Sequence, residues 1–273
     1  MSNFKCPVCG GLLRREERVL RCELGHSYDV ARQGYVNLLM SNQSSAKRHG
    51  DDKKMVLARQ TFLDGGWFAD LLEEICRLAV RYSGERVDLL DVGCGEGWYT
   101  RGVKEALESA GKTCAAVGID ISKDALIQCA RRDRSLALAV GSVNALPVPD
   151  ASQDLLLNIF APNHDPEFHR VLRPGGTLLR VVPLEEHLMG LKRAIYDRPY
   201  PNPAPEYAPE GFHLLERSQV RGRITLHGQE EIQSLFMMTP YYYKTGRGDQ
   251  EKLAVLDTLE TEIAFCVFVH ERV

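Results

Sequence analysis

Val87-Asp88-Leu89-Leu90-Asp91-Val92-Gly93-Cys94-Gly95-Glu96-Gly97 decides how this chain folds. The run 87–92, apolar except for Asp88 and Asp91, reads as a buried strand. It enters a turn with glycine at every second position, and the spacing predicts a helix over 99–109. Strand, glycine-rich turn and helix form the unit in which backbone passes close to a ligand at a helix N-terminus. The alternation continues downstream. Strands are expected over 114–120, 136–140, 154–160 and 177–182, with helices over 123–132 and in 167–173. Ser122 stands where it caps the helix that follows it. Such alternation builds an α/β, doubly wound sheet.

The glycine spacing selects the ligand. A dinucleotide fingerprint, G-x-G-x-x-G, needs glycine where Trp98 stands. Gly93, Gly95 and Gly97, with Asp91 two residues ahead, instead resemble the loop of class I (Rossmann-like) S-adenosylmethionine-dependent methyltransferases. That ligand has no pyrophosphate but carries an amino-acid tail, and Asp91 suits its ammonium. Asp120, at the end of the next strand, suits bidentate bonding to ribose hydroxyls. Ser142 or Asn144 stands where many such enzymes place an acid beside the adenine. The end of the fourth strand, Phe160-Ala161-Pro162, faces the transferable methyl in this fold, so Phe160 and Pro162 are the expected target-base pocket.

A second signature precedes this domain. Cys6, Cys9, Cys22 and His26 read C-x2-C-x12-C-x3-H, two short-spaced ligand pairs on a longer loop. Four such ligands make a closed tetrahedral zinc site, which is structural and leaves no open position for water. A module this small lacks a sufficient core, so metal supplies its folding energy. The other five cysteines, Cys76, Cys94, Cys114, Cys129 and Cys266, lack ligand spacing and read as small buried hydrophobes.

Composition bounds the rest. The 273 residues are 44% apolar and 26% charged, which excludes disorder as the main state. No apolar run approaches the ~18 residues of a membrane helix. The N-terminus lacks a secretory signal, so a cytoplasmic protein with no membrane partner is expected. Net charge is −3, but residues 1–59 carry +5 and the remainder −8. A basic arm on an acidic body suits an enzyme directed at nucleic acid.

Residues 40–54 read as a polar linker, followed by helices over 53–64 and 68–82. A helix is expected over 185–196, with His187 at its start, near the ligand edge of the sheet. Five prolines within 199–209 mark an irregular insertion. Strand material over 212–227 carries Arg217, Arg221 and Arg223 as a phosphate-facing set. A helix over 229–237 leads to Tyr241-Tyr242-Tyr243-Lys244, which offers stacking for unpaired bases, although three consecutive tyrosines cannot share one face. A closing strand is expected over 262–270.

Zinc signature and methyltransferase domain together form an uncommon pairing. With Gly34-Tyr35-Val36-Asn37-Leu38-Leu39, Ala58-Arg59-x-x-Phe62-Leu63-Asp64-x-Gly66, residues 91–97, His187-Leu188-Met189 and Met238-Thr239-Pro240, the whole chain resembles the RlmA family of large-subunit ribosomal RNA guanine-N1 methyltransferases. The resemblance implies a dimer with an RNA cleft between subunits. It also implies a zinc module that helps recognise a hairpin loop of domain II of 23S rRNA. Cys6, Cys9, Cys22 and His26 match the zinc ligands, Gly95 and Glu96 the cofactor loop, and His187 a cofactor-contacting histidine. Phe68 falls where relatives carry tyrosine; that change keeps stacking and loses a hydroxyl bond.

The expected layout is a zinc-binding module over 1–40, linker and helices over 41–84, and a methyltransferase domain over 85–273 with an insertion at about 197–227. The expected reaction moves a methyl group from S-adenosylmethionine to N1 of a loop guanine. The N1 proton needs an acceptor, and His164 and Asp165 lie nearest in the chain. A methyltransferase of a small molecule such as a quinone precursor is the alternative. A zinc RNA-binding protein with an inactive cofactor domain is a third reading.

Overall fold

The computed structural model describes residues 4–40 and 50–273; most of the linker read over 40–54, with Lys47 and Arg48, lies outside them. Strands β1 (Arg14–Glu16), β2 (Val19–Arg21) and β3 (Ser27–Asp29) form a small antiparallel sheet beside the cysteine cluster. Then come β4 (Tyr35–Asn37) and helices α1 (Lys53–Asp64) and α2 (Ala69–Arg81). The alternating core is β5 (Arg86–Val92), α3 (Trp98–Ser109), β6 (Thr113–Asp120), α4 (Lys123–Arg132), β7 (Ala137–Val140), β8 (Gln153–Ile159), α5 (Asp165–Val171) and β9 (Leu172–Pro183). The chain closes with α6 (Met189–Ile195), β10 (Phe212–His227), α7 (Gly228–Met237), α8 (Tyr241–Lys244), α9 (Arg247–Leu253) and β11 (Thr258–Arg272).

The large sheet has the order β10-β11-β9-β8-β5-β6-β7-β4. Pairings from β4 through to β9 are parallel, and β11 runs antiparallel between β9 and β10. After β5 the chain moves to β6 and β7 on one side and later to β8 and β9 on the other. The crevice outside the carboxyl ends of β5 and β8 is therefore the topological switch point, where such sheets bind ligands. This is the doubly wound α/β fold expected for a class I methyltransferase, with a small three-stranded ribbon at its N-terminal end.

Two cores flank the sheet. On one face α1, α2 and α3 pack Phe62, Leu71, Ile75, Leu78 and Val103 on Leu89, Leu155 and Leu157. On the other, Leu90, Val92, Val117, Ile119 and Phe168 join Phe4, Leu13, Leu20, Val36 and Leu38. The ribbon thus shares its core with the sheet. β4 extends the sheet beyond β7, Lys5 N donates to Pro147 O at 3.0 Å, and Lys5 pairs with Asp150 at 3.5 Å.

The strand character read over 212–227 is borne out as one sixteen-residue strand paired with β11, while other elements depart from expectation. The helix expected over 185–196 spans only Met189–Ile195, because Leu188 turns the backbone left-handed at φ 58°. His187 therefore lies in the connection before it. The closing strand is longer than 262–270, because it serves both β9 and β10.

Candidate active site

The cofactor loop leaves β5 with Gly93 and Gly97 at φ 82° and 85°. Both are packed tightly. A Cβ on Gly93 would lie 2.5 Å from Ala161 Cβ, and one on Gly97 would lie 2.6 Å from Cys129 Sγ. The loop is tied to β6: Gly93 N and Cys94 N donate to Ile119 O, and Gly95 N donates to Asp120 Oδ2 at 2.9 Å. Asp120 Oδ1 accepts from Ser122 N at 2.7 Å, so both of its carboxylate oxygens are oriented from behind. Burial pushes its pKa above the usual carboxylate range.

Asp91 is fully enclosed and accepts Thr100 Oγ1 at 2.6 Å. Burial, with Asp120 nearby, pushes its pKa up to about 7. Glu96 turns behind the loop and pairs with Arg132 at 2.5 Å, while Arg132 also reaches Asp64 at 2.9 Å. Its neighbourhood is the α3–α4 side of the loop. Ser142 is buried and receives Asn144 N at 3.2 Å, with Asn144 itself exposed.

Sequence reasoning used Arg59 only as part of a family phrase. In the fold, α1 lays Arg59 over the loop, with Nη1 3.8 Å from where a Gly95 Cβ would stand. The guanidinium pairs with Asp51, and Nη2 donates to Met238 O at 3.3 Å. Next to it Asp52 caps α1 through Lys54 N and Met55 N and accepts Tyr243 Oη at 2.8 Å. Tyr99 was likewise missed. Its Oη is buried with no hydrogen-bond partner among the described residues, and its ring meets Phe160 edge-on, 6.3 Å between centroids. No periodicity distinguishes Tyr99 from a packing residue, and Arg59 comes near Gly95 only through tertiary folding.

Phe160 opens the other half of the site. It is 45% exposed at the end of β8, with φ 54°, and rests on Phe265 at 5.4 Å. A left-handed backbone at a bulky residue is strained, and such strain concentrates at functional sites. Pro162 is exposed, and its carbonyl accepts Asn158 Nδ2 at 3.0 Å. The two acceptor candidates are engaged: His164 Nδ1 caps α5 through Glu167 N, and Asp165 Oδ1 accepts Tyr207 Oη at 2.5 Å.

His187 is buried against Phe265, 4.5 Å between centroids. Its Nδ1 accepts Ala264 N at 3.2 Å, so the neutral ring carries its proton on Nε2. Burial pushes its pKa down to about 3. Phe68 sits behind it at 3% exposure, edge-on to both Phe62 (5.0 Å) and Phe265 (4.9 Å). Those contacts place Phe68 in the core that backs the pocket wall.

The basic and aromatic runs of the C-terminal third are largely committed. Arg221 pairs with Glu186, Arg223 with Glu260 at 2.7 Å, and Arg217 lies over Phe268. Tyr241 and Tyr242 pack on Tyr196 and Phe236, leaving Tyr243 as the exposed member.

The metal-ligand atoms of Cys6, Cys9, Cys22 and His26 lie within 4.8 Å of one another. Cys9 Sγ is 3.6 Å from Cys22 Sγ, and Cys22 Sγ is 3.3 Å from His26 Nδ1. Zinc–sulfur bonds of ~2.3 Å on a tetrahedron set sulfurs about 3.8 Å apart, so these residues fit a structural zinc ion.

Residues 4–47 match the zinc ribbon described as the N-terminal domain of RlmA, and 90–180 match a methyltransferase domain. A 23S rRNA (guanine(748)-N(1))-methyltransferase of Streptomyces fradiae is 41% identical over 195 residues, covering 70% of this chain and 67% of its own. A putative 23S rRNA (guanine-N(1)-)-methyltransferase of Bacillus subtilis is 33% identical over 251 residues, covering 88% and 86%. The chain belongs to the RlmA family. Its cofactors are S-adenosylmethionine and structural zinc. The crevice fits that methyl donor: a cradle that side chains would fill, paired acids at the ends of β5 and β6, and an orphaned buried hydroxyl on Tyr99.

Proposed function

We propose that this protein methylates N1 of an unpaired guanine in a hairpin loop of 23S rRNA. The substrate class follows from the named relatives. The structural observation that carries the reading is the exposed ring of Phe160, held in a strained backbone beside the glycine cradle. Guanine N1 lies inside the Watson–Crick edge and is blocked when paired, so the target base must be unpaired or flipped out. Phe160 offers it a stacking face, and Pro162 borders the same opening.

The sulfonium supplies an intrinsically activated methyl group. The protein's part is alignment and exclusion of water. Asp120 is set to receive the ribose hydroxyls and Asp91 the ammonium, with Gly93, Gly95 and Gly97 giving the tail room. His187 presents an Nε2–H donor from the far wall. A ring that titrates near pH 3 and already holds its proton on Nε2 does not accept the guanine N1 proton. Glu96 and Phe68 act from behind, one fixing the loop to α4 and the other bracing His187. The zinc ribbon, fused to the sheet through β4, offers Arg14, Arg15 and Arg18 as exposed cations toward RNA. A cytoplasmic homodimer is proposed from the family resemblance. Among the described residues no helix is long and apolar enough to cross a membrane.

The test is transfer from labelled S-adenosylmethionine to protein-free 23S rRNA of a strain lacking the enzyme, mapped by primer-extension stop. One stop at one loop guanine is expected. Tight cofactor binding without incorporation into RNA or ribosomal particles would favour the small-molecule alternative.

A further inference from the structure

We propose that Arg59 and Tyr99 form the subsite for the carboxylate of the cofactor's amino-acid tail, a reading that rests on S-adenosylmethionine being the cofactor. The tail is a zwitterion, and the two acids at the loop, Asp91 and Asp120, answer only its ammonium and the ribose hydroxyls. A carboxylate leaving water needs a cation or strong donors. Near the glycine loop, Arg132 is spent on Glu96 and Asp64. Arg59 stands on the open side, 3.8 Å from the Cβ position of Gly95.

Tyr99 supplies the second observation. Its hydroxyl is buried in the first turn of α3 and has no partner among the described residues. An orphaned buried donor costs stability unless something absent satisfies it. Gly95 links the groups: Arg59 Nη1 lies beside its Cβ position, its N donates to Asp120 Oδ2 at 2.9 Å, and Tyr99 follows four residues on, in the first turn of α3. The positive end of the α3 dipole points the same way.

Arg59 is also held ready to exchange partners. Asp51, its present ion partner, is about a quarter exposed and can be released to water. Met238 O holds the other nitrogen from the end of α7, fixing the fork while Nη1 changes acceptor. Cofactor entry would thus exchange a protein carboxylate for a ligand carboxylate, with no net burial of charge.

The experiment is calorimetric binding to the full zinc-loaded chain, using S-adenosylmethionine and its decarboxylated analogue. The wild type is expected to prefer the intact cofactor by about tenfold or more, the scale of a charge-assisted bond. Arg59→Gln should weaken intact cofactor and shrink that preference toward one, leaving the analogue within about twofold of its wild-type affinity. Tyr99→Phe, which removes one oxygen and keeps the packing, should shrink it less, and Arg59→Lys should restore part of it. Asp120→Asn should weaken both ligands alike and keep the preference. Equal loss of both ligands in Arg59→Gln, or an intact preference in both Arg59→Gln and Tyr99→Phe, would overturn the subsite. An unchanged preference with a raised KM for RNA would assign Arg59 to a phosphate instead. A wild type that binds neither ligand would overturn the cofactor reading itself.

Discussion

The zinc ribbon and the cofactor crevice each gather polar groups around a space for a ligand, but they are built in opposite ways. The ribbon takes its ligands from positions 6 to 26, set by two tight turns. The crevice takes Arg59, Asp91, Tyr99, Asp120 and His187 from five elements or connections, and Arg59 finds Met238 across 179 positions. A local site is fixed by spacing and has little core of its own, so it leans on its metal. A distributed site inherits the stability of the sheet that assembles it. The difference predicts opposite responses to loss of ligand.

Removing zinc should have the largest effect. Cys9→Ser, at the exposed ligand, should abolish stoichiometric zinc and open residues 6–26 to limited proteolysis. It should cost about 3–5 kcal/mol, roughly 10 °C in Tm. Cofactor affinity should stay within a few-fold, because none of the loop's hydrogen bonds comes from the ribbon. Simultaneous loss of cofactor binding would break the contrast and make the shared face around Leu13 and Val92 the support of both sites.

The next effect is confined to the crevice. Gly97→Ala puts a Cβ 2.6 Å from Cys129 Sγ at φ 85° and should destabilise by about 2–4 kcal/mol, with cofactor affinity reduced. Gly175→Ala shares the backbone conformation, φ 77°, but meets nothing within 4 Å, so only about 1 kcal/mol is expected. Equal Tm losses would show that conformation, not the closeness of α4, dictates the glycine.

This contrast also explains what the sequence made legible. Cys6, Cys9, Cys22 and His26 were readable because ligand geometry maps directly onto spacing. Gly93, Gly95, Gly97, Asp91 and Asp120 were readable because one strand–turn–helix unit and its neighbour place them. The antiparallel edge was half legible: 212–227 showed strand character, but nothing local says that it pairs with 258–272 across the prolines. Arg59 and Tyr99 carried no sign of their place. Their role depends on α1 crossing the switch point and on a hydroxyl left unpaired, both properties of the assembled fold. His187 was expected at a helix start, and the left-handed Leu188 that moves it off the helix has no sequence signature.

Asp91→Asn should move stability and binding in opposite directions. Burial raises Asp91 from about 3.8 to about 7, so the folded state keeps a proton that the unfolded chain sheds. Ionising it therefore costs stability progressively as pH rises from about 4 to about 7, and in full above that. The neutral amide of the variant carries no such cost. The variant should match wild type near pH 4 and exceed it by up to about 4 kcal/mol at pH 8, read as Tm against pH. The cofactor ammonium favours the ionised acid, so wild-type affinity should rise as pH climbs through about 7. The variant should bind about tenfold more weakly without that step. A variant less stable at pH 8 would mean that the Thr100 hydrogen bond outweighs the burial of charge.

The smallest effect on folding concerns Phe160, where strain and function can be separated. Phe160→Ala removes the stacking ring but keeps a Cβ at φ 54°; Phe160→Gly removes both. If the ring is held out for a base, both variants should lose about tenfold or more in kcat/KM for RNA, in line with a stacking contribution of about 1–3 kcal/mol. Cofactor affinity should be nearly unchanged. Glycine should nonetheless be more stable than alanine by about 1 kcal/mol, because it adopts a left-handed backbone without penalty. If the ring is merely packing on Phe265 and Tyr99, the order of stability is the same but turnover survives. The crevice would then be a cofactor site whose substrate opening lies elsewhere, and the exposed, strained position of Phe160 would need another cause.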